Sequence, residues 1–136
     1  MVSKKFLMKI STLFLSCILI FASCTKESSL HSLIQETDLV KVFIISNGNI
    51  PMVHYETNDI EKIKKWKNYI DENSTGASNC NYEGKLVFKV FEDSTTMQFS
   101  LQNGCEQVSY ILNDTLFVKK FTPEGISFLN SLKQAQ

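Results

Sequence analysis

Apolar and polar residues alternate along several short stretches of this chain, and they do so with two different periods. Residues 39 to 46, Leu-Val-Lys-Val-Phe-Ile-Ile-Ser, are rich in β-branched and aromatic types and predict a strand. Asn47-Gly48 follows as a strong hairpin signal, and Ile50 to Tyr55 predicts the partner strand. Pro51 confines that partner to an edge or a strand start, because proline cannot donate to a ladder. Further along, Leu86, Phe88 and Val90 alternate, then Met97, Phe99 and Leu101, then Val108, Tyr110 and Leu112; Thr115 to Lys119 completes the set. The intervening segments, Glu92-Asp93-Ser94-Thr95, Asn103-Gly104 and Asn113-Asp114, are turn chemistry, so these four segments predict an antiparallel meander. Period-two alternation implies one packed and one wetter face.

The helical period appears twice. Asn58-Asp59-Ile60-Glu61 resembles a capping box with Asn58 as N-cap, and Ile60, Ile63, Trp66 and Ile70 then share one face, opposite Lys62, Lys65 and Tyr69. This predicts a helix from about 59 to 72, with Glu61–Lys65 as a favourable surface pair. Thr122-Pro123-Glu124-Gly125 opens a second helix carrying Ile126, Leu129 and Leu132, with Thr122 as N-cap and Gly125 allowing close approach to the sheet. The polar stretch 73–81 reads as a loop. The predicted fold is α+β: a β-hairpin, a helix, a four-strand antiparallel meander and a C-terminal helix, with two helices packed on one face of the sheet.

The N-terminus obeys neither period. Lys4, Lys5 and Lys9 precede an apolar run from Ile10 to Ala22, which ends in Phe21-Ala22-Ser23-Cys24. The run is shorter than the roughly 20 residues that span a bilayer, and a basic segment before a short apolar core predicts an export signal. The tetrad resembles the lipobox of bacterial lipoproteins, with Phe21 where leucine is usual. That resemblance implies cleavage after residue 23, lipidation of Cys24 and membrane anchoring in the cell envelope. Thr25 is not aspartate, so the likeness further implies an outer-membrane destination in a Gram-negative cell, on either its periplasmic or its surface face. A retained anchor, cleavage before Cys17 and ordinary secretory cleavage are the competing readings; cleavage before Cys17 would leave Ile18-Leu19-Ile20-Phe21 exposed. The expected organisation is a signal peptide over 1–23, a flexible tether over 24–37 and one domain over 38–136. The mature region also resembles small uncharacterised lipoprotein domains of Bacteroidota, through its cysteine pair, strand–glycine–strand rhythm and closing Thr-Pro-Glu-Gly helix. This likeness implies no activity.

Composition removes several classes of function. Beyond the signal the chain carries 11 Lys and 14 acidic residues, a net charge of −3, so no basic face argues for nucleic acid. Arginine is absent, which argues against a phosphate-gripping site. With Cys24 lipidated, Cys80 and Cys105 remain, and an oxidising envelope predicts a disulfide between them. His31, placed in the tether, and His54 make no metal pattern, and no cofactor is expected.

Candidate chemistry is sparse. No nucleophile elbow, zinc-protease motif or P-loop occurs. His54 beside Glu56 or Asp59 would be the one dyad, while Asp71-Glu72 and Glu92-Asp93 sit at a helix end and in a turn, where carboxylates are solvated. Lys62, Lys64, Lys65 and Lys67 form either a solvated helix face or a partner-binding patch. Asp114-Thr115-Leu116 resembles the O-glycosylation acceptor pattern of exported Bacteroidota proteins, with Thr115 as the acceptor. The sequence-level reading is a lipid-anchored, non-enzymatic envelope protein: a binding or inhibitor-like module that meets an envelope protein through an exposed sheet face or edge. A structural accessory subunit and an enzyme with an unrecognised site are the alternatives. An exposed apolar patch favours the first two, and a deep pocket holding His54 and a carboxylate favours the last.

Overall fold

Alternation along the strands translates into sheet sidedness. In β1 (Leu39–Ile45) the side chains of Val40, Val42 and Ile44 are buried, while Leu39, Lys41 and Phe43 are half-buried on the other face. β4 (Gly84–Val90) buries Leu86 and Phe88, β5 (Asp93–Ser100) buries Met97 and Phe99, and β6 (Gln107–Leu112) buries Val108 and Tyr110. With β2 (Pro51–Thr57), β7 (Thr115–Phe121) and the two-residue β3 (Ile70–Asp71) they form one antiparallel sheet. The computed structural model describes residues 29–45 and 50–135. The fold is α+β: a curled seven-stranded sheet in the order β2-β1-β4-β5-β6-β7-β3, with helices over one face and a C-terminal helix closing the chain. The meander is present as expected; Asn47-Gly48 and Cys24 lie outside the described residues.

Between β2 and β4 the chain travels twice across the sheet. Leaving β2 at one edge, it crosses the packed face as α2 (Ile60–Lys64) and α3 (Trp66–Tyr69), then pairs with β7 at the opposite edge as β3. Residues 72–83 return it to the middle of the sheet. Along the β7 edge, Gly76 N donates to Val118 O and Lys120 N to Ser74 Oγ. The segment then reaches the second face, where buried Gln107 grips Ala77 twice: its Nε2 donates to Ala77 O, and its Oε1 accepts from Ala77 N, both at 2.7 Å. The Cys80–Cys105 disulfide, with Cα atoms 5.7 Å apart, fastens the end of this crossing.

Several features differ from the sequence-based expectation. Residues 30–36 are not tether: α1 (Leu30–Glu36) is a helix capped by Ser29, and Leu30 and Ile34 lie in the core. His31 therefore stands on a helix, its Nδ1 3.7 Å from Glu72 Oε2. The helix expected over 59–72 breaks at Lys65 and ends in β3. Its buried residues Ile63, Trp66 and Tyr69 are spaced by three, and an uninterrupted helix of 3.6 residues per turn drifts off that spacing. Tyr69 is thus buried and Ile60 exposed, the reverse of the expected faces. Asp59 rather than Asn58 is the cap, its carboxylate accepting from Glu61 N and Lys62 N, and Glu61 pairs with Lys64 instead of Lys65.

α4 (Pro123–Gln134) begins as expected, with Thr122 accepting from Gly125 N. Its close approach is to α3, not the sheet: a β-carbon on Gly125 would collide with the backbone of Tyr69. Thr122 N donates to Tyr69 O at 2.9 Å and Thr122 Oγ1 to Asn68 O at 2.6 Å, which stitches the two helices together. Among the described residues no helix is long and apolar enough to cross a membrane.

Candidate functional site

The strand register places the side chains of the second sheet face in rungs. The rung nearest the 72–83 crossing contains Ser100 and Gln107, both buried beneath it. The next holds Val53, Phe43, Lys85, Gln98, Ser109 and Val118; the one after holds Glu56, Lys41, Val87, Thr96, Ile111 and Leu116. Among the described residues no helix covers these two rungs. Their middle is polar and their ends are apolar. At one end Val53 and, one rung on, Ile45 are exposed on this face, while Met52, opposite buried Ile44, and Ile50 are exposed at the same edge of the sheet, Ile50 to 72 %. At the other, Ile111 and Leu116 face each other across β6–β7, each 63 % exposed.

The β1–β2 end also carries the open edge of the sheet. Among the described residues β2 pairs only with β1. Pro51 starts the strand, and the register slips between Val42 and Phe43, leaving His54 as the extra residue of a bulge. Proline and a bulge both discourage backbone pairing at an edge. This end therefore presents side chains rather than freely pairing backbone. A further exposed apolar group, Phe91, lies at the β4–β5 turn, 81 % exposed and at φ 53°, a left-handed conformation rare for a non-glycine residue. This turn is Phe91-Glu92, tighter than the expected Glu92–Thr95, because Val90 pairs directly with Asp93.

The sequence-predicted chemistry does not assemble. His54 Nε2 is buried with no hydrogen-bond partner, while Glu56 is taken by Lys41 at 3.2 Å and Asp59 caps α2. Asp71 accepts from Asn73 N, and Glu92 and Asp93 are exposed in their turn. Among the described residues no cluster of three His, Cys, Asp or Glu side chains stands ready for a metal. Cys80 and Cys105 are joined, and Thr115 is exposed at the start of β7. Asn113-Asp114, both at positive φ, close the two-residue turn before it. The lysine cluster divides: Lys64 is held by Glu61 at 3.0 Å, while Lys62 and Lys65 line a hollow with Tyr55, Tyr69 and Phe128.

No family model, curated protein or solved structure matches this chain.

A second concavity, of about 320 Å³, opens between the start of α1 and the β6–β7 hairpin, lined by Ser29, Glu72, Tyr110 and Phe117 among others. Tyr110 stacks on Phe117 at 5.5 Å. Burial first, and then the Glu72 carboxylate, push its phenol up to about 12. Between the ordinary value of 10.0 and about 12 the folded chain keeps a proton that the unfolded chain releases. The stability tied to this proton is whole below the unfolded value and lost as pH rises through the folded one, about 2–3 kcal/mol for a shift of this size. An ultraviolet phenol titration should show a late-ionising component that is reduced by one tyrosine in Tyr110→Phe; a single step for all tyrosines near the ordinary value would contradict this. The alternation of β6 marked Tyr110 as core, but nothing in the sequence showed that Glu72 faces it across the fold.

Proposed function

We propose that this chain is a lipid-anchored cell-envelope binding module that meets an envelope protein through the exposed apolar side chains of the β1–β2 edge. The observation that carries the reading is the grouping of exposed Ile45, Ile50, Met52 and Val53 on one hairpin at an open sheet edge. Exposed apolar clusters mark interaction sites when they are contiguous rather than scattered. Polarity along the strands adds a second support. The chain enters the domain at Ser29, which lines the concavity beside Asn113 and Thr115 at the β6–β7 turn. β1 runs from the Leu39 end toward Ile45, so Ile45 and its partner Pro51 lie at the opposite end of the strands. A lipid on Cys24 would hold the β6–β7 end toward the membrane and present the apolar hairpin away from it.

Affinity capture of the tagged, membrane-tethered protein from its native envelope tests this. The wild type is expected to retain a specific protein that Ile45→Lys/Val53→Lys loses, while the variant keeps its melting temperature because both positions are exposed. Equal recovery by the two would overturn the assignment of this edge.

A further inference from the structure

Four elements converge on a hollow of about 280 Å³ on the helix side of the domain: β2 supplies Tyr55, α2 and its junction with α3 supply Lys62 and Lys65, α3 supplies Tyr69, and α4 supplies Phe128. Phe128 stacks on Tyr69 with ring centroids 4.9 Å apart, and Tyr55 meets the same Phe128 edge-on at 5.2 Å. The result is an aromatic wall with two ammonium groups beside it. Neither lysine has a carboxylate within ion-pair distance among the described residues, in contrast to Lys64. Tyr69 is only 7 % exposed, and it lines the hollow. Its phenol is raised from the ordinary value, first by burial and then by Glu124 and Tyr55, so it remains an O–H donor at neutral pH.

We propose that this hollow is a binding site for a small organic anion carried on a ring, its acidic group taken by Lys62, Lys65 and the Tyr69 hydroxyl and its ring laid against Phe128. Each part of the ligand answers a part of the site. Ammonium groups give an anion charge-assisted hydrogen bonds, stronger than neutral ones. A ring gains offset or edge-on contact with aromatic side chains. A neutral ring forfeits the first term, and a bare carboxylate the second. The site is separate from the β1–β2 patch, and the proposal does not depend on the protein-partner reading.

Benzoate is a suitable probe, with benzyl alcohol as the ring without charge and acetate as the charge without ring. Trp66, the one tryptophan of the chain, packs 5.3 Å from Tyr69 and 5.7 Å from Phe128 and reports on the hollow. Equilibrium dialysis of benzoate against the detergent-solubilised full-length protein is expected to show one saturable site, accompanied by a change in Trp66 fluorescence. Benzyl alcohol should bind about tenfold more weakly or worse, the scale of one lost charged hydrogen bond, and acetate about tenfold more weakly for want of the aromatic contact. Lys62→Gln/Lys65→Gln should weaken benzoate about tenfold at an unchanged melting temperature, and Lys64→Gln should leave binding intact. Absence of saturable benzoate uptake, benzyl alcohol binding as tightly as benzoate, or undiminished binding by Lys62→Gln/Lys65→Gln would each overturn the proposal.

Discussion

Trp66→Ala is expected to cost about 3–5 kcal/mol in chemical denaturation, the range for emptying a fully buried aromatic site. Trp66 is 0 % exposed and sits at the meeting point of helices and sheet. Its ring contacts Tyr69, Phe88 and Phe128 edge-on at 5.3, 5.6 and 5.7 Å, so its loss opens a cavity bounded by α3, β4 and α4 at once. Trp66→Phe should cost clearly less. The indole Nε1 is buried without a hydrogen-bond partner, and phenylalanine removes that unsatisfied donor while filling much of the space. Native fluorescence should be that of an apolar site; emission typical of indole in water would contradict the burial of this face.

Loss of the Cys80–Cys105 bridge is the other large effect. It closes a span of 25 residues, for which the chain-entropy model gives roughly 3 kcal/mol. Cys80→Ser/Cys105→Ser is expected to lose about that much while keeping the sheet, because Gln107 still grips Ala77 and Gly76 still pairs with Val118. Peptide mapping without reduction should recover both cysteines in one linked fragment. Full alkylation of Cys80 and Cys105 in the native, unreduced protein would contradict the bridge.

The sheet was legible because its signal is local. Period-two alternation of Val40, Val42 and Ile44, of Leu86 and Phe88, and of Met97 and Phe99 reports burial on one face wherever the strands pair. Placement of β3 was not legible: two residues at a helix end become a strand only because β7 lies there to receive them. α1 was within reach, since Ser29 is an N-cap type and Leu30, Leu33 and Ile34 have helical spacing. The lipobox-like tetrad just before it drew residues 24–37 into the expected tether, although a tether has no use for buried Leu30 and Ile34. Tyr69 misled for a related reason. Its burial is decided by Phe128 and the Thr122–Gly125 cap, both more than fifty residues away, and no window around residue 69 contains them. The same holds for the aromatic hollow. Its lysines were visible as a cluster, but their separation into a neutralised Lys64 and unneutralised Lys62 and Lys65 belongs to the folded chain.

The proposed role rests on export and anchoring, which fix the class of partner and the direction in which the β1–β2 hairpin points. The most direct measurement is intact mass of the protein purified from the membrane fraction, together with the partitioning of Cys24→Ala. The account expects a chain beginning at Cys24 and carrying acyl groups, and a Cys24→Ala variant no longer anchored through lipid and lost from the washed membrane fraction. An unmodified chain, or Cys24→Ala partitioning with the membrane as the wild type does, would contradict it.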